Sequence, residues 1–181
     1  MISGSLAKRY AKALLDVAME GQAAEAVLKE LAGVAELVRE QRELRLFLLN
    51  PSIRRQDAVE VMDEVAGRLQ VSPLTHTFLK VVLEAGRMAA LEGILRAYEA
   101  MLDERIGRVH AAVTTAAPLD GGQRARLTTE LARLTGKRVV LEVTQNTAIL
   151  GGMITQIGSR VYDGSLKTRI ARLRHDLVTG E

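Results

Sequence analysis

The sequence predicts an α+β protein, a bundle of six short helices followed by a small α/β domain. Three observations predict it. Through residue 106 apolar residues recur at spacings of three and four; after Gly107 the period drops to two; and the charge changes sign between the two parts. Residues 1–105 carry 14 Lys and Arg against 16 Asp and Glu, a net −2, whereas residues 106–181 carry 11 against 6, a net +5. The expected domains are therefore 1–105 and 106–181, with the sixth helix running directly into the second.

Each element has its own signal. Leu6, Tyr10, Leu14 and Val17 form the stripe of a first helix, and Val27, Leu28, Leu31, Val34, Leu37 and Val38 that of a second. LRLFLL is a short third, stopped at Asn50-Pro51, and Ile53, Ala58, Val61, Met62, Val65 and Leu69 make a fourth. Ser72 and Pro73 open a fifth, because a serine hydroxyl accepts free backbone N–H groups and proline has none to satisfy. Gly86 is a left-handed end to that helix. Leu91, Ile94, Leu95, Tyr98 and Leu102 give the sixth, ending near Gly107. Short connections favour antiparallel packing into a bundle.

Beyond Gly107, Val109, Ala111, Val113 and Thr115 alternate as a strand does, and Pro118 ends the run. Asp120 and Gln123 have capping-box spacing ahead of Leu127, Leu131 and Leu134, and Gly136 stops that helix. RVVLEVT places Val139, Leu141 and Val143 on one strand face. Met153 to Val161 reads as one further extended stretch, and Ser165 opens a last helix with Leu166, Ile170, Leu173 and Leu177 inward.

Composition narrows the chemistry. Aromatics are 3% of the chain, so the core rests on Leu, Val, Ile, Ala and Met. Without cysteine there is no disulfide, thiolate nucleophile or thiolate zinc site, which fits a reducing compartment. No apolar run approaches bilayer-spanning length. The N-terminal MISGSLAKRYAKALLDVAMEG lacks the apolar core of a signal peptide and reads as the first helix of the mature fold.

No catalytic constellation emerges. Gly151-Gly152 is followed by neither Gly-Lys-Ser/Thr nor the G-x-G-x-x-G spacing, so it reads as a tight turn or a close backbone approach. His76, His110 and His175 lack metal-ligand spacing and read as surface or half-buried histidines. Asp63-Glu64 and Asp103-Glu104 are adjacent on helices and point about 100° apart, which rules out a facing acid–base pair. No metal or cofactor is expected. Lys167, Arg169, Arg172 and Arg174 line the last helix: a nucleic-acid contact, a solvated basic face or a dock for an acidic protein segment. No aromatic interleaves them, and a strand rather than a partner helix precedes them, which disfavours nucleic acid. Ala7, Ala11, Ala13 and Ala18 suit a closely apposed helix, either inside the bundle or from a partner.

Four stretches in register, RYAKALLDVA (9–18), EAGRMAALEGILRAYEAML (84–102), VHAAVTTAAPL (109–119) and LGGMITQIGSRVYDGSLKTRIARL (150–173), resemble the delta subunit family of F-type ATP synthases. In mitochondria that family is called the oligomycin-sensitivity-conferring protein. The resemblance covers essentially the whole chain and implies a stator component, not an enzyme. It implies a helix bundle that binds the N-terminal segment of an alpha subunit between helices one and five. It also implies a C-terminal domain that holds the C-terminal end of the b subunits, in single copy within a hetero-oligomer. The N-terminus lacks the extension of organellar precursors, which favours a bacterial protein or an already processed one; the expected setting is the cytoplasmic face of a bacterial membrane, peripheral and without insertion. Expected groove residues are Tyr10, Ala11, Leu14, Leu79 and Val82, and expected b-subunit contacts are Arg169 and Arg172. Gly151, Gly152, Asp163, Gly164 and Ser165 are expected to be structural, with Gly152 permitting a close approach and Ser165 capping the last helix. A nucleic-acid-binding regulator is the competing class, separable by a salt-titrated gel shift.

Overall fold

A computed structural model of the chain describes residues 4–50, 52–147, 149, 151–158, 160–164 and 168. The chain divides into two compact units, Met1–Asp103 and Glu104–Glu181. Of the expected last helix Thr168 is described; Ser165, Leu166, Lys167, Arg169, Ile170, Arg172, Leu173, Arg174 and Leu177 lie outside the described residues.

The first unit is built from α1 (Gly4–Glu20), α2 (Ala24–Glu40), α3 (Arg42–Leu49), α4 (Arg55–Arg68), α5 (Pro73–Glu84) and α6 (Leu91–Ile106), whose last residues fall beyond the unit boundary, with a 3-10 turn at Met88–Ala90. Leu15, Leu31, Met62, Leu79, Ile94, Tyr98 and Leu102 fill its core and have essentially no exposed surface. The expected α5 start is present: Ser72 Oγ accepts the Thr75 N–H, with Pro73 in the first turn. Three helices end in the same pattern, in which a left-handed residue turns the chain and two amides bond back to the last turn. Gly86 (φ +65°) ends α5 in this way, while Gln22 (φ +52°) and Gln70 (φ +51°) end α1 and α4.

The buried face of α1 differs from the expected one. Of Leu6, Tyr10, Leu14 and Val17, only Leu14 is buried, and Val17 is 52% exposed. The core side is Ala7, Ala11, Leu14, Leu15 and Ala18. Small side chains allow close approach: a Cβ built on Gly93 of α6 would lie 3.5 Å from the Ala7 Cβ. The alanines therefore serve packing inside the bundle, except Ala13, which is exposed.

The second unit is a four-stranded sheet of order β2-β1-β3-β4 with α7 (Gly121–Thr135). β1 (Arg108–Thr115) pairs parallel with β2 (Arg138–Gln145) and antiparallel with β3 (Met153–Ile157). β4 (Arg160–Asp163) pairs antiparallel with β3, placing Ile157 opposite Arg160. The single extended stretch expected from Met153 to Val161 is thus a hairpin, with Gly158 (φ +57°) in its reversal. The Asp120–Gln123 capping box forms in both directions, and Gly136 (φ +67°) caps the far end of α7. Alternation places Val109, Ala111, Val139, Leu141 and Ile157 on one sheet face, where Leu127 and Leu131 of α7 cover them. Leu134, which continues the spacing of Leu127 and Leu131, is 65% exposed.

Candidate partner-docking site

α1 and α5 meet through one aromatic pair. The Tyr10 and Phe78 rings lie edge to face, with centroids 6.4 Å apart and planes at 70°. Both are half-buried, so each presents part of its ring outward. On α1 the same stripe runs through Leu6, Tyr10, Ala13 and Val17; on α5 it runs through Leu74, Phe78 and Val81. Both follow the i, i+4, i+7 spacing that a docked helix reads. Val17 and Val81 are 52% and 48% exposed, more open than the rings between them.

This surface lies on the flank of each helix's core face. Ala11 and Leu14 on α1, and Leu79 and Val82 on α5, are 0%, 3%, 0% and 0% exposed. A side chain without surface has nothing to offer a docked helix. These four expected groove residues are core residues, and only Tyr10 lies on the flank. At about 100° per residue, the position just before a buried one looks sideways. Tyr10 precedes Ala11, Ala13 precedes Leu14, Phe78 precedes Leu79 and Val81 precedes Val82. Phe78 is not among the expected groove residues, although an aromatic directly before a core leucine, in a chain with few aromatics, is a usable signal.

Electrostatic contacts hold α5 from its other sides. His76 Nε2 lies 2.7 Å and Lys80 Nζ 2.9 Å from Asp63 Oδ1 on α4. The hydrogen bond from Lys80, followed by that with His76, holds the Asp63 carboxyl below its ordinary range. Neighbouring Glu64 points elsewhere and pairs with Arg68 at 2.6 Å, as adjacent helical positions must. His110 Nδ1 lies 2.8 Å from Glu142 Oε1 across β1 and β2, and His175 lies outside the described residues. Among the described residues no three His, Asp or Glu side chains converge as metal ligands, and no helix is long and apolar enough to cross a membrane.

In the second unit, Gly151 (φ +152°) and Gly152 (φ +86°) sit between β2 and β3 in backbone conformations that L side chains resist. A close approach is visible at Gly164, where an added Cβ would lie 3.3 Å from the Met153 carbonyl that its own N–H bonds at 2.9 Å. Asp163 accepts a 2.6 Å hydrogen bond from Thr168 Oγ1. Ser165, Arg169 and Arg172 lie outside the described residues.

Comparison with known proteins places this geometry in a family. Residues 6–177 match the family described as ATP synthase delta (OSCP) subunit. The ATP synthase subunit delta of Geobacter sp. (strain M21) is 36% identical over 180 residues, covering 99% of this chain and 100% of the relative. That of Myxococcus xanthus (strain DK1622) is 36% identical over 179 residues, 98% of each chain. Among solved structures, a chain of the Toxoplasma gondii mitochondrial ATP synthase hexamer has the same fold, with a TM-score of 0.69 and 24% identity over 96% of this chain and 97% of that one.

Proposed function

This chain belongs to the ATP synthase delta (OSCP) subunit family, and on that premise we propose how its two units are used. As a family member it is a stator subunit of an F-type ATP synthase, linking the head to the peripheral stalk. The first unit takes the N-terminal helix of an alpha subunit along the flank shared by α1 and α5. The second holds the C-terminal segment of the b subunits, with Arg169 and Arg172 among the contacts. The subunit is a single-copy connector without chemistry of its own, peripheral at the cytoplasmic face of a bacterial membrane.

The observation that carries the first contact is the pair of outward apolar stripes joined by Tyr10 and Phe78. Burying each Val or Leu of such a surface contributes roughly 1.5–3 kcal/mol before ordering costs, so a few anchors suffice. Holding two partners through one chain makes the second contact effectively intramolecular, which suits a part that must resist torque.

Calorimetric titration with a peptide of the alpha N-terminus tests this reading. Val81→Glu, on an exposed position, weakens binding about tenfold or more and leaves the fold intact. Equal affinity of Val81→Glu and wild type removes the flank as the docking surface. Insensitivity of b-segment binding to Arg169→Ala and Arg172→Ala removes those two contacts.

A further inference from the structure

We propose that Glu30, on α2, is the residue that positions the start of α5 and with it one wall of the docking surface, an inference that rests on the reading above. α5 has no acidic residue in its own first turn, so its positive N-terminal end lacks the usual local complement. The negative charge arrives from another helix. Glu30 Oε2 accepts a 2.7 Å hydrogen bond from Ser72 Oγ and a second bond from Thr75 Oγ1.

Hydrogen-bond direction makes this more than a contact. An ionised carboxylate only accepts, and each hydroxyl has one hydrogen. With both hydrogens drawn to Glu30, the 3.2 Å approach of the two hydroxyls carries none, and the Ser72 lone pairs turn toward the helix. There Ser72 Oγ accepts the Thr75 N–H at 3.4 Å. Glu30 thus sets the orientation that makes Ser72 a cap. Thr75 is fully buried, and Glu30 and Ser72 are half-buried, so the bonds are shielded from competing water. Leu74 lies between the two clamped residues and Phe78 one turn beyond. Glu30 acts on the docking stripe by holding the first turn of α5.

The test uses the full chain with Glu30→Ala and Glu30→Gln, read by calorimetry with the alpha N-terminal peptide and by amide hydrogen exchange. Glu30→Ala binds the peptide about fivefold more weakly and exchanges the Thr75 amide about fivefold faster, the size of a lost helix cap. The Leu102 amide in α6 is unchanged, which separates a local effect from general destabilisation. Glu30→Gln, whose carbonyl oxygen still accepts both hydroxyls, lies closer to wild type on both readouts. Wild-type affinity in Glu30→Ala overturns the inference, as does weakened affinity with unchanged Thr75 exchange. If the wild-type chain ignores the peptide, the docking reading falls, and Thr75 exchange alone decides whether Glu30 holds α5. Should Glu30→Ala fail to fold, Glu30→Met, which keeps the chain length and removes the carboxylate, supplies the same two readouts.

Discussion

The Tyr98 hydroxyl reaches from α6 to the first residue of α2, donating a 3.0 Å hydrogen bond to the Ala24 carbonyl inside the bundle. Tyr98 has no exposed surface, and burial pushes its pKa from the usual 10 to about 12. Tyr98→Phe removes the bond and destabilises the first unit by about 1 kcal/mol, read by urea denaturation at neutral pH. The pH dependence has a definite sign. From pH 10 to about 12 the unfolded tyrosine loses its proton and the folded one keeps it, so stability falls as pH rises. Tyr98→Phe lacks that component, and its stability declines less steeply over the same window.

Core and flank separate cleanly by mutation. Leu79→Ala, at a position with no exposed surface, costs about 2–5 kcal/mol of stability. Ala11→Glu forces an unpaired charge into the core and lowers the melting temperature sharply, so it is a folding variant and not a binding variant. Val17→Asp changes stability by less than about 0.5 kcal/mol and weakens the alpha peptide. Thermal melts and calorimetry on the three variants sort them.

Asp63 titrates below an ordinary aspartate because Lys80, and then His76, stabilise its charged form. A lowered carboxyl pKa contributes stability that is present above the unfolded value of 3.8 and is lost as pH falls through the folded value. Lys80→Met removes the larger cause. The Asp63 carboxyl resonance then titrates at higher pH than in wild type, and no change would show that Lys80 does not hold it.

Gln70 ends α4 in a left-handed conformation, with its amide and that of Val71 bonded back to Gly67 and Ala66. An L side chain pays about 1 kcal/mol there that glycine does not. Gln70→Gly stabilises the chain by a large part of that amount in chemical denaturation, because Gln70 is exposed and loses no packing.

Much of the fold is written locally. Ser72-Pro73, Gly86, Gly107, Asp120 with Gln123, and Gly136 mark helix ends through backbone chemistry that needs no distant partner, and each stands where local rules place it. Gln22 and Gln70 escaped those rules, since nothing in a glutamine announces a left-handed turn; each is accompanied by two amides bonded back into the last helical turn. The reversal at Gly158 was hidden in the same way, because a two-residue turn leaves the alternation on either side nearly intact.

What the sequence alone determined was the order and kind of the elements from α1 to β2 and, through four motifs in register, the family. Which side of each helix faces inward was decided only by the tertiary structure. Helices α1 and α5 are apolar over more than half their girth, so period alone does not separate core from flank. Close packing of α6 against Ala7 selects the alanine side of α1 for burial. That choice leaves Tyr10 and Val17 of α1 at the surface, and burial of Leu79 and Val82 likewise leaves Phe78 and Val81 of α5 there.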